Sequence, residues 1–168
     1  MTIISMASNL NFYSLALLVL EFCGNFSISN NAEQGFISDI NPITTVKDIQ
    51  KFLDAFTKNS KCIRGINNLR EVLTFASDNS NSPMESRLFV KLCGPRHKGL
   101  YSSKELKLNS RVRLSESASK IAGQTIITPD ISCAKKKVAI EYDSSQFHEE
   151  SVQGQKDKRR RDALVSEG

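Results

Sequence analysis

Residues 138–150, VAIEYDSSQFHEE, set Glu141 and Asp143 two positions apart and add His148 a little beyond them. A β-branched run of this kind reads as an extended strand, where residues two apart share one face. Like charges on one face repel. A third carboxylate, Asp130, stands upstream in TPDIS. A divalent cation gives such acids a reason to converge, because Mg²⁺ takes one or two carboxylates together with water and substrate phosphate oxygens. Held there, the ion activates a water and stabilises charge building on a phosphodiester; Mn²⁺ is the alternative metal. The competing explanation is a solvated hairpin face whose acids are offset by Lys135, Lys136 and Lys137.

The acids meet only if TIITPDISCA, 125–134, and KKVAIEYD, 136–143, form a β-hairpin across the lysine-rich turn. Any symmetric turn centred between Lys135 and Lys136 sets Asp130 opposite Glu141. Period-two alternation then gathers Thr128, Asp130 and Ser132 on one face of the first strand, and Ala139, Glu141 and Asp143 on one face of the second. Ile127, Ile131, Val138, Ile140 and Tyr142 take the other face. A slip by one residue would push carboxylates into the core, so the pattern favours this register. Opposed side chains have Cβ atoms about 5 Å apart, and like charges so placed are destabilising.

The remaining elements must position that hairpin. The 168-residue chain carries 39% apolar and 24% charged residues, with 9 Phe and no Trp, as in a globular protein with one sizeable core. Its formal charge of +5 leans towards a polyanionic partner. Cys23, Cys62, Cys93 and Cys133 are too widely spaced for a zinc knuckle or a small disulfide scaffold, and read as reduced thiols of a cytoplasmic protein. FYSLALLVLEF, residues 12–22, lacks a basic run before it and is cut short by Glu21, so it reads as part of a buried helix over 10–23, closed by Gly24, not as a signal or membrane span. Residues 24–41 read as loop with one short strand. Thr44 or Thr45 caps a helix in which Val46, Ile49, Phe52, Leu53 and Phe56 recur at helical spacing, and a third helix runs from Ile66 to Ala76. The polar run SDNSNSP, 77–83, marks a boundary between a helical N-terminal region, 1–79, and a second domain, 80–168. Past it come a helix over 82–94 with Ser82 as N-cap and Pro83 at its first position, a strand over 106–114, a connection ESASKIAG, and a polar helix from Val152 to Glu167.

The ordered motifs SPMES, TPDIS, VAIEYDSSQFH and KDKRRRDALVSEG resemble the small endonuclease-like domains related to very-short-patch-repair endonucleases, within the PD-(D/E)xK restriction-endonuclease superfamily. The match spans about residues 80–168 and runs through Glu85, Asp130, Glu141 with Asp143, His148, and then Asp157, Arg160, Leu164 and Gly168. The resemblance implies an α/β fold with a restriction-endonuclease-like mixed β-sheet flanked by helices, and metal-dependent cleavage of DNA. It makes Asp130 and Glu141 the metal ligands, joined by Asp143, with Glu85 reaching in from the first helix. Ser82 and Glu85 also have the spacing of a capping box, which gives that glutamate a purely structural use.

Two departures qualify the match. Lysine is usual two residues after the glutamate in the superfamily, where Asp143 stands here; an aspartate is usual in the nearer relatives, leaving the acid–base role to His148. The chain also stops at Gly168, where relatives continue into a further core strand, so the domain is expected to be C-terminally truncated. Lys156, Lys158, Arg159, Arg160 and Arg161 suit a phosphate backbone, each contact adding salt-dependent affinity. Arg160 has two other uses: an i, i+3 pair with Asp157, or an inward turn towards the carboxylates. His97, beside Arg96 and Lys98, reads as ordinary loop. Two functions therefore stand: a Mg²⁺- or Mn²⁺-dependent endonuclease acting on DNA, and a non-catalytic, antitoxin-like regulator that keeps the nuclease fold and binds nucleic acid.

Overall fold

The computed structural model describes residues 2–58, 64–142 and 152–167. The chain is mixed α/β and divides into two compact units, Met1–Lys104 and Glu105–Gly168. The boundary thus falls later than the one expected at residue 79. The polar run proposed as a linker is pinned instead: the Asn79 N–H donates to the Cys23 carbonyl at 3.0 Å, and the Ser80 carbonyl accepts from the Asn25 N–H at 2.7 Å. Ser80 is fully buried, its hydroxyl 2.7 Å from that of Ser86.

In the first unit, α1 (Thr2–Met6) leads into α2 (Phe12–Phe22), whose Asn11 N-cap side chain accepts from the Ser14 N–H at 2.8 Å. The α2 helix buries Phe12, Leu15, Ala16, Val19 and Leu20 against α4 (Ile66–Leu73) and α5 (Pro83–Cys93). This is why its apolar run is continuous: it is covered on more than one side. No helix among the described residues is long and apolar enough to cross a membrane. Gly24 follows α2 for want of space, not for a left-handed turn, since a Cβ there would lie 2.7 Å from the Leu20 carbonyl and 2.8 Å from that of Ser80. The loop expected after it holds a small hairpin, β1 (Phe26–Ile28) with β2 (Phe36–Ser38). Thr45 caps α3 (Val46–Lys58), accepting from the Asp48 N–H at 3.1 Å. Of the expected α3 stripe, Ile49 and Leu53 are buried, whereas Phe52 and Phe56 stack on each other at 5.9 Å and stay exposed.

The second unit is built on a long antiparallel ladder. Strand β3 (Lys107–Leu108) pairs with β6 (Ile131–Cys133), Leu108 facing Ile131, and β4 (Val112–Arg113) pairs with β5 (Ile126–Ile127), Val112 facing Ile127. Four steps forward on one side match four steps back on the other, so both pairs obey a single register. The expected strand over 106–114 and the first hairpin strand over 125–134 are each interrupted in the middle of that ladder. Pro129 has no N–H to contribute there, and Asn109 sits at φ 43°, in the left-handed region. The Asn109 N–H still reaches the Asp130 carbonyl at 2.9 Å.

Strand β7 (Val138–Ile140) completes a three-stranded order β3–β6–β7. Every strand pair among the described residues is antiparallel, which corrects the expected mixed sheet. The presumed connection is a short helix, α6 (Glu116–Ala122), capped by Ser115 and ended by Gly123 at φ 70°. Helix α7 (Val152–Ser166) lies on α6, its Ala163 buried with Leu114, Ala118 and Ile127. Cys23, Cys93 and Cys133 are buried free thiols, and Cys62 lies outside the described residues.

Candidate functional site

The hairpin register expected from the sequence is the observed one. Ile131 faces Ile140, Ser132 faces Ala139 and Cys133 faces Val138, which makes Asp130 and Glu141 the next residues out at the open end of the β6–β7 pair. Their strand faces differ in burial from the simple alternation. Strand β6 is buried on both sides, Ser132 included, while β7 is an edge on which Val138 and neighbouring Tyr142 stay exposed. The Asp130 carboxylate closes the hairpin by accepting the Tyr142 N–H at 2.6 Å, taking the place of a ladder carbonyl.

Helix α7 supplies the third charged group. Arg160 lies one turn before Ala163 and Leu164, on the stripe that packs against α6 and the strands, so its side chain must run inward. Its Nη2 donates to Glu141 Oε1 at 3.3 Å and to the Thr128 carbonyl at 3.3 Å. Its Nε is buried and, among the described residues, has no hydrogen-bond partner. Of the three uses weighed for Arg160, the inward turn is the one adopted.

Burial lifts the Asp130 carboxyl above the usual carboxylate range, against the pull of the Tyr142 N–H and the Arg160 charge. Glu141 is lifted in the same way, chiefly by burial, with Arg160 opposing and the charges of Asp130 and Asp157 adding to the lift. Its side chain keeps 39% of its surface, so this is the modest desolvation of a half-exposed group. The two carboxylates therefore feel each other, and Arg160 offsets both, with a smaller pull from Arg161 on Glu141.

These groups line an open cavity of about 1110 Å³, together with Arg111, Arg113, Lys137 and Arg161. Arg111 and Arg113 were missed in the sequence, where Lys137 entered only as an offset to the acids of a solvated hairpin face. The signal was there in R-V-R at 111–113, where Val112 packs inward on the α6–α7 core and the two arginines share the opposite side. Lys156, Lys158, Arg159 and Arg161 are exposed on α7, as DNA contact requires.

Glu85 stands in the first turn of α5. It belongs to the first unit, is 7% exposed, and accepts the Asn81 N–H at 3.0 Å while Ser82 Oγ accepts the Glu85 N–H at 3.2 Å. The capping use is the observed one, displaced by one residue from the usual box. His97, expected in ordinary loop, lies instead in a one-turn 3-10 helix over Arg96–Lys98, with its Nε2 2.7 Å from Glu71 Oε1. Asp143 and His148 lie outside the described residues. Among the described residues no group of three or more His, Cys, Asp or Glu side chains is assembled as a metal-ligand set. Two carboxylates with bound water nonetheless meet the needs of Mg²⁺, so the pair Asp130 and Glu141 fits such an ion. The chain matches no family model, no curated protein and no solved structure.

Proposed function

We propose that the second unit is a restriction-endonuclease-like domain that hydrolyses DNA phosphodiester bonds with Mg²⁺ or Mn²⁺. The observation that carries this reading is the hairpin register, which sets Asp130 and Glu141 at the same open strand end inside a cation-rimmed cavity. Asp130 and Glu141 are the residues that would hold the ion, which when bound supplies a more acidic water and stabilises charge on the phosphoryl oxygens. The Tyr142 N–H orients Asp130 by fixing one of its oxygens and leaving the other available. Arg111, Arg113 and Lys137 give the cavity charges for flanking phosphates, and the exposed cations of α7 add sequence-independent affinity for the backbone. The buried free thiols support a cytoplasmic location.

A second reading, a non-catalytic nucleic-acid-binding regulator, is favoured by one specific contact: the Arg160 guanidinium stands 3.3 Å from Glu141 Oε1 and offsets its charge from within the chain. A plasmid-nicking assay with and without Mg²⁺ or Mn²⁺ separates the two. Wild type is expected to convert supercoiled plasmid to the nicked form only with metal, and Asp130→Ala to leave it intact. If neither protein cuts while both retard DNA, the regulator reading replaces the enzyme.

A further inference from the structure

We infer that Arg160 is a latch on the proposed metal site, a resident counter-ion that must leave Glu141 before a divalent cation is held there. The inference rests on the metal-site reading above and assigns this side chain two positions. In the observed one, Nη2 occupies Glu141 Oε1 and the Thr128 carbonyl, each at 3.3 Å, longer than a well-formed charge-assisted contact. A guanidinium presents its donors as a rigid fork suited to two oxygens of one carboxylate or phosphate. Here that fork is only partly used, since the buried Nε finds no acceptor among the described residues. A buried donor left unmade is costly, so the pose is not the one that satisfies this side chain best.

A phosphodiester brought into the cavity offers what the pose lacks. Two non-bridging oxygens can take Nε and Nη2 together, and the arginine's departure frees Glu141 Oε1 for a cation. Metal and arginine thus exclude each other on one oxygen, while metal and phosphodiester favour each other through the arginine. This coupling keeps the acids compensated until nucleic acid arrives. It also explains how like charges can be held together at the strand ends, the question that the pairing of Asp130 with Glu141 raises.

The test is calorimetric titration of Mn²⁺ into the full chain as wild type, Arg160→Gln and Arg160→Lys, each checked by circular dichroism for a folded spectrum. Arg160→Gln, which removes the competing charge, is expected to bind Mn²⁺ more tightly by up to about fivefold, the most that one half-exposed ion pair is worth. Arg160→Lys keeps a cation for Glu141 and is expected to stay near wild type. A short duplex with uncleavable bridging methylenephosphonate linkages, which keep both non-bridging oxygens, is expected to tighten Mn²⁺ binding to wild type and not to Arg160→Lys, whose single ammonium cannot fork. Equal or weaker Mn²⁺ affinity in Arg160→Gln overturns the latch while leaving the metal site standing. No Mn²⁺ binding by either wild type or Arg160→Gln overturns the metal-site reading, and the latch with it.

Discussion

Asp130 has two separable jobs, and replacing it by asparagine or by alanine pulls them apart. Its carboxylate accepts the Tyr142 N–H at 2.6 Å, a hydrogen bond to an ionised acceptor of the class worth about 1.5–3 kcal/mol. Burial works against that gain by raising the carboxyl's proton affinity above its ordinary value. The free side chain titrates near about 3.9, so the folded protein holds this proton to higher pH than the unfolded chain does. Asp130 then costs stability as pH rises from about 4 through the raised folded value, and the full cost is present at neutral pH. Asparagine keeps an acceptor and has no charge to desolvate, so Asp130→Asn is expected to be as stable as wild type or slightly more so at pH 7. Any such advantage should vanish below pH about 4, where the aspartate is neutral too. Alanine loses the acceptor, for a net loss of about 1 kcal/mol, or about 2–4 °C in Tm for a chain of this size. Thermal melts followed by circular dichroism at several pH values check this. An Asp130→Asn protein as unstable as Asp130→Ala at pH 7 refutes the reasoning, because the hydrogen bond would then not be what the side chain contributes.

Other consequences are simpler. Glu85→Ala removes a carboxylate bound to the Asn81 N–H at the start of α5 and is expected to cost about 1 kcal/mol in urea unfolding, with Mn²⁺ binding unchanged. Burial pushes the Cys23 thiol up to about 12, helped by nearby Asp78, and burial alone takes Cys93 to about 12. Both are expected to resist iodoacetamide in the folded protein and to alkylate once it is unfolded, as read by peptide mass spectrometry. Gly65, at φ 83°, would bring a Cβ into the Ala7 carbonyl, so Gly65→Ala is expected to lower Tm, while Gly35→Ala, at φ 77° in open space, should cost no more than about 1 kcal/mol.

The site's key pairing was legible because two independent constraints agreed. A lysine-rich turn fixed the centre of the hairpin, and the alternation of acids with Ile131 and Ile140 fixed which faces could pair. The α2, α3 and α5 helices were equally readable from apolar spacing and from the Asn11, Thr45 and Ser82 caps, the last two named beforehand. What escaped was decided by partners. Pro129 splits what looks like one strand, yet the register resumes on either side of it, so local propensity alone does not reveal the interruption. Helix α6 is too short for an apolar stripe, though Ser115 and Gly123 mark both of its ends. SDNSNSP has a linker's composition but returns to α2 through Asn79 and Ser80, which moves the unit boundary past α5. Arg160 hid inside a basic run; only its spacing to Ala163 and Leu164 separates it from the exposed cations beside it.

A metal-dependent nuclease on this hairpin needs one ion shared between two strand ends. Calorimetric titration of Mn²⁺ into wild type, Asp130→Asn and Glu141→Gln tests it without any need for the right substrate. One bound ion in wild type, lost in both variants while their melting curves stay close to wild type, is the predicted result. Undiminished binding in the two variants, or none in wild type, contradicts it.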